Sequence, residues 1–79
     1  MNSTTPAACG KVETELLANN EFKLLLRRAA AVRGRDRLRQ YEVFKRQLDR
    51  ICGWSSRNPA YGPEHWEAAI RMLCRIMEV

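Results

Sequence analysis

Arg33, Arg35, Arg37 and Arg39 alternate across a glycine at position 34, and Arg46 and Arg50 follow at helical spacing. Guanidinium groups bind phosphate or carboxylate through paired N–H donors, and a cluster of them attracts a polyanion by releasing its condensed counterions. Ten of the 14 basic residues fall between positions 23 and 50, among only three acids, Asp36, Glu42 and Asp49. That segment carries +7 in a chain whose net charge is +5, so the remainder is slightly acidic.

Arg35, Arg39, Arg46 and Arg50 lie within about 60° of one another on a 3.6-residue helix, opposite its apolar stripe. Together with Arg27, Arg28 and Arg33 they form the candidate surface for a nucleic-acid backbone or for an acidic patch on a nucleic-acid-processing protein. A third reading is a solvated face, in which Glu42 and Asp49 pair with Arg39 and Arg46 along the helix.

Catalysis has few ingredients here. The chain has one histidine, His65, no glycine-rich loop, and four isolated glycines. His65 next to Glu64 reads as a polar residue in the first turn of a helix. Cys9, Cys52 and Cys74 are odd in number and widely spaced, which argues against a disulfide framework, and His65 has no second metal ligand nearby. The expectation is a binding protein without cofactor or metal, acting in control of transcription or replication. A protein adaptor or inhibitor is the alternative class, with Trp54 and Tyr61 in a proline-containing loop as its contact residues. Leu24, Val43, Pro59 and Met72 are further apolar residues that a bundle has no evident use for. The sequence leaves the identity of the partner and the oligomeric state open.

These side chains need elements to hold them. A chain of 79 residues with 46% hydrophobic and 29% charged residues has room for one core. No apolar run reaches the roughly 18 to 20 residues that span a bilayer, and the first residues lack the pattern of a secretory signal, so the expected location is the cytoplasm without membrane contact. Residues 1–10, rich in turn-formers, read as a disordered tail, and 11–79 as a single helical domain.

From Lys11 the chain reads either as one bent helix or as a short helix to Ala18 followed by a longer one. Asn19 and Asn20 favour the break, with Asn20 as the cap of a helix from Glu21. Phe22, Leu25, Leu26, Ala29 and Val32 make the apolar face of this second piece, and Gly34 closes it. From about Asp36 to Cys52 the spacing of Leu38, Tyr41, Phe44, Leu48, Ile51 and Cys52 predicts a further helix, closed by Gly53. The segment WSSRNPAYGP is a loop, and Pro63 suits the first turn of a last helix with Trp66, Ala69, Ile70, Leu73 and Met77 on its apolar face. The fold class that follows is all-α: a small bundle of three amphipathic helices, with a short extra helix allowed at the amino end. Its expected core is Phe22, Leu25, Leu26, Phe44, Leu48, Trp66, Ile70 and Leu73.

Overall fold

The last helix binds the molecule together, because more than half of its circumference is apolar. In the computed structural model, which describes the backbone of residues 4–79 and the side chains of 10–79, α4 spans Pro63–Met77. His65, Ala68, Ala69, Leu73 and Met77 of α4 are buried. Trp66, Ile70, Met72 and Ile76 pack against the same core. The polar stripe left over is narrow: Glu64, Glu67, Arg71 and Arg75 are exposed. Such a helix can satisfy its surface only by touching several neighbours, and α4 packs against all three other helices.

Those neighbours are α1 (Thr4–Leu17), α2 (Asn20–Ala30) and α3 (Arg37–Cys52). The described residues contain four helices and no strand. α2 packs against both α1 and α3, whereas α1 and α3 do not touch each other among the described residues. The resulting globule measures 41 × 31 × 18 Å, thin enough along its short axis for two layers of helix. One core runs through it: Leu16, Phe22, Leu48, Ala69 and Leu73 are each fully buried. Burial of such a large side chain contributes about 1.5–3 kcal/mol.

The amino end differs from the expectation. α1 begins at Thr4, so most of the segment read as a disordered tail lies in a helix 14 residues long, and residues 1–3 lie outside the described residues. The sequence pattern of this helix is weakly amphipathic, which hides it. Its carboxyl half nevertheless supplies Leu16, fully buried, and Val12, packed at the core edge.

The break between α1 and α2 falls at the expected place, one residue earlier in its capping. Asn19, in extended conformation, accepts a hydrogen bond at its Oδ1 from the Phe22 amide at 3.1 Å, and Asn20 is the first helical residue. The cap satisfies an amide that the helix itself leaves free.

α2 stops at Ala30, and the chain turns through Gly34, whose φ of +92° is a conformation that side chains disfavour. Asp36 precedes α3 and accepts from the Gln40 amide through its carbonyl, while its side chain makes no cap bond. Phe44, Leu48 and Cys52 face the core from α3, with Tyr41 and Ile51 half-buried beside them. Leu38, expected in that stripe, is exposed instead. It sits in the first turn of α3, about 100° around from its first residue and at the edge of the apolar arc.

Gly53 ends α3 where there is no space for a side chain. A Cβ there would lie 2.8 Å from the Asp49 Cα and 2.9 Å from the Trp66 ring. The expected loop follows, and Pro63 opens α4. No helix among the described residues is long and apolar enough to cross a membrane.

Candidate functional site

Three of the singled-out arginines share one face of α3. Arg39, Arg46 and Arg50 fall within about 40° of one another at 100° per residue, opposite Phe44 and Leu48, and all three are exposed. None has a carboxylate within 4.0 Å: among the described residues the ion pairs are Arg37–Glu78 and His65–Glu15. The intrahelical pairs with Glu42 and Asp49 that would have neutralised the row are not formed.

Asp49 is engaged elsewhere. Its Oδ1 accepts from the Ser55 amide at 3.4 Å, across the Gly53 bend. Hydrogen bonding from Ser55 holds its carboxyl below the usual range against the opposing effect of burial, with the Trp54 amide and the Arg50 charge as lesser contributions. Asp49 therefore fixes the loop after α3 at its root, at an ionised carboxylate.

Arg35 does not join the row, which corrects the four-arginine stripe: it lies in the turn before Arg37, the first residue of α3, and so outside the helix that carries the other three. It lines a hollow of ≈ 580 Å³ with Arg33, Arg37, Ile76 and Glu78, where the α2–α3 turn meets the end of α4. Two of those arginines serve helix ends. Arg33 donates to the carbonyls of Ala30 and Val32 at 2.6 and 3.0 Å. Arg37 donates to the Met77 carbonyl at 3.4 Å and pairs with Glu78 at 3.3 Å. Cations at helix carboxyl ends oppose the negative end of the dipole.

On α2, Arg27 and Arg28 are exposed in the last turn. Arg28 and Arg50 line one groove between α2 and α3, with Glu21, Leu24, Gln47 and Ile51. Arg50 and Arg46 line a second groove on the other side, with Lys45, Glu42, Ser55 and Trp66. Arg50 thus stands on the ridge between two grooves. Lys45 lies 5.7 Å from the Tyr41 ring centroid, within cation–π range.

The two loop aromatics have different surroundings. Trp54 is 94% exposed. Tyr61 packs at the core edge, and its hydroxyl accepts from Asn19 Nδ2 at 3.2 Å. Leu24 and Val43 are also exposed, whereas Met72 packs against the core.

His65 holds a structural post that its sequence position did not reveal. It is buried, its Nδ1 accepts from the Gly62 amide at 3.0 Å, and Nε2 lies 2.7 Å from Glu15 Oε1. The first bond places the ring proton on Nε2, which donates to the carboxylate. The Tyr61 ring lies against it, centroid to centroid 5.2 Å. A residue at the third helical position reaching back to the amide of the residue before the helix is the pattern of a capping box, usually made by Glu or Gln. That position, two after Pro63, is the signal that could have found it.

Cys52 and Cys74 are free thiols, Cys52 buried and Cys74 half-buried; the Cys9 side chain lies outside the described residues. No group of three His, Cys, Asp or Glu side chains converges among the described residues. No family model, curated protein or solved structure matches the chain.

Proposed function

We propose that the protein is a non-enzymatic binding module that holds a nucleic-acid backbone against the outer face of α3, acting in the control of transcription or replication. The observation that carries this reading is the row Arg39, Arg46 and Arg50, exposed along one helix face without a neutralising carboxylate within 4.0 Å. Arg28, across the groove from Arg50, extends the positive surface onto α2. Phosphate contacts of this kind position a nucleic acid without reading its sequence.

The test is binding of duplex of arbitrary sequence, followed by fluorescence anisotropy over a range of salt. Affinity is expected to fall linearly on a log–log plot, with a slope near −0.9 per phosphate contacted. Absence of binding to duplex and to single strand alike at low salt, about 50 mM, would refute the reading.

A second reading has its own observation. Leu24 and Val43 are exposed on the same side of the α2–α3 pair as the arginines, and mixed apolar and arginine surfaces dock proteins. In that case the acidic surface of a nucleic-acid-processing protein is the partner, and Leu24→Ser weakens its capture while leaving nucleic-acid binding unchanged.

A further inference from the structure

Trp54 is the largest apolar side chain on the surface and is 94% exposed, so both faces of its indole are open to solvent. It is not on a loose strand of chain. The turn that carries it is tied by Asp49 Oδ1 accepting from the Ser55 amide and by the Ser56 amide donating to the Gly53 carbonyl at 3.1 Å. Further along, the Ala60 amide donates to Asn58 Oδ1 at 2.9 Å and the Tyr61 amide to the Asn58 carbonyl at 3.2 Å. A turn whose backbone is fixed before binding loses little entropy when a ligand lands on the side chain it carries.

Beside Trp54 is an apolar notch of ≈ 290 Å³ lined by Gly53, Tyr61, Pro63 and Trp66. Its Trp66 wall is also a wall of the groove that holds Lys45, Arg46 and Arg50. An aromatic platform and a cluster of phosphate-binding cations are therefore continuous through one residue. The groove sets three cations, Lys45, Arg46 and Arg50, against two carboxylates, Glu42 and Asp49, so it is net positive.

We infer that the ligand is single-stranded nucleic acid, with an unpaired base stacked on Trp54 at the notch and the adjoining phosphates on Arg46 and Arg50. This rests on the backbone-binding reading above and adds the strandedness of the ligand. Aromatic stacking beside a basic groove is how single strands are held without sequence preference. In a duplex the base faces are already stacked on one another, and Trp54 has nothing to receive. Only an unpaired base brings an open face to the indole while its backbone lies in the groove.

The experiment uses the full chain with an oligothymidylate of about 12 nucleotides and a duplex of equal length. Binding is followed by anisotropy, and by indole fluorescence in a Trp66→Phe background where Trp54 is the sole tryptophan. Saturable quenching of Trp54 by the single strand is expected. Trp54→Ala in the otherwise unaltered chain is expected to weaken single-strand binding about ten-fold or more, with little change in duplex affinity or in salt slope. Trp54→Phe, which keeps an aromatic face, retains most of the binding. Because Trp54 is exposed, these variants are expected to keep the helical circular dichroism of the parent, whatever the Trp66→Phe chain does. Unquenched emission and undiminished single-strand affinity in Trp54→Ala, with the salt slope intact, would overturn the inference and leave the backbone reading standing. Binding of neither form would overturn both. Loss of capture of an acidic protein in Trp54→Ala, with nucleic-acid binding unchanged, would assign the tryptophan to protein docking and overturn the inference.

Discussion

His65 and Glu15 are 50 residues apart in the chain and meet at 2.7 Å. The contact closes α4 onto α1, while the other ring nitrogen of His65 serves the Gly62 amide. The only histidine of the chain is thus built into the fold at both nitrogens. His65→Ala leaves the Gly62 amide and the Glu15 carboxylate without their partner and is expected to cost about 1–3 kcal/mol in urea unfolding. Glu15→Gln keeps an acceptor oxygen for Nε2 and is expected to cost less than half as much. A neutral effect of His65→Ala would show that the two bonds are not made in solution.

Leu16 tests whether α1 belongs to the fold. It is fully buried, and Leu16→Ala removes most of a side chain from the centre of the core. A loss of about 2–5 kcal/mol is expected, a large part of the stability of a chain this small. Thermal unfolding followed by circular dichroism measures it, and an unchanged midpoint would mean that α1 does not pack as described.

Alkaline titration reads the buried Cys52 thiol and the half-buried Tyr41 hydroxyl. Burial, with the Asp49 charge behind it, pushes the Cys52 thiol from 9.0 to about 11. Tyr41 is pushed from 10.0 to about 12, first by the hydrogen bond between its hydroxyl and the Cys74 sulfur, 3.6 Å apart, and then by burial. Both folded-state values lie above the unfolded ones, so the native state favours the protonated forms. Their contribution is complete below pH 9, where neither group ionises in either state, and is lost as pH rises through 11 for Cys52 and 12 for Tyr41. The urea midpoint is expected to fall between pH 9 and pH 12, and to fall less in Tyr41→Phe. Stability unchanged across that window would contradict the burial of both groups.

Gly53 is closed to any side chain by the Asp49 Cα and the Trp66 ring. Gly53→Ala forces either the end of α3 or Trp66 to move, at an expected cost of about 1–3 kcal/mol. The ring that must yield is that of Trp66, which packs against the core, so tryptophan emission in a Trp54→Phe background reports the shift. An alanine accommodated without loss would mean that the α3 end is softer than its hydrogen bonds imply.

Periodicity carried much of the fold. The four-residue spacing of Phe44, Leu48 and Cys52 names the buried face of α3 directly, because a helix repeats every 3.6 residues. The α1–α2 break was legible at Asn19 and Asn20, since only a short polar side chain serves a free amide there. Only the second half of α1, from Lys11, was legible as a short helix; the first was not, because Thr4, Thr5, Pro6 and Gly10 are poor helix formers. Leu38 shows the opposite failure: spacing includes it in the stripe, yet the helix begins only one residue before it and no neighbouring element covers it.

At the candidate site the arginine row on α3 was readable from position alone, while its freedom from acidic partners was not. Asp49 sits one turn from Arg46 and next to Arg50 in sequence, and only the bend at Gly53 commits it to Ser55. Likewise, nothing in the loop residues separates Trp54 from Tyr61. The bond from Asn19 to the Tyr61 hydroxyl, 42 residues apart, holds one inside while the other stays out.

The most direct measurement is the salt dependence of nucleic-acid affinity with and without the α3 row. Replacement of Arg39, Arg46 and Arg50 by glutamine removes exposed charge and leaves the core untouched, so helix content is expected to persist. Each lost phosphate contact is expected to flatten the log–log slope by about 0.9 on duplex or about 0.7 on a single strand. Arg71→Gln and Arg75→Gln on the polar stripe of α4 serve as controls and are expected to leave the slope as it was. A triple α3 variant that keeps the full slope, or controls that flatten it equally, would contradict the assignment of the binding face to α3.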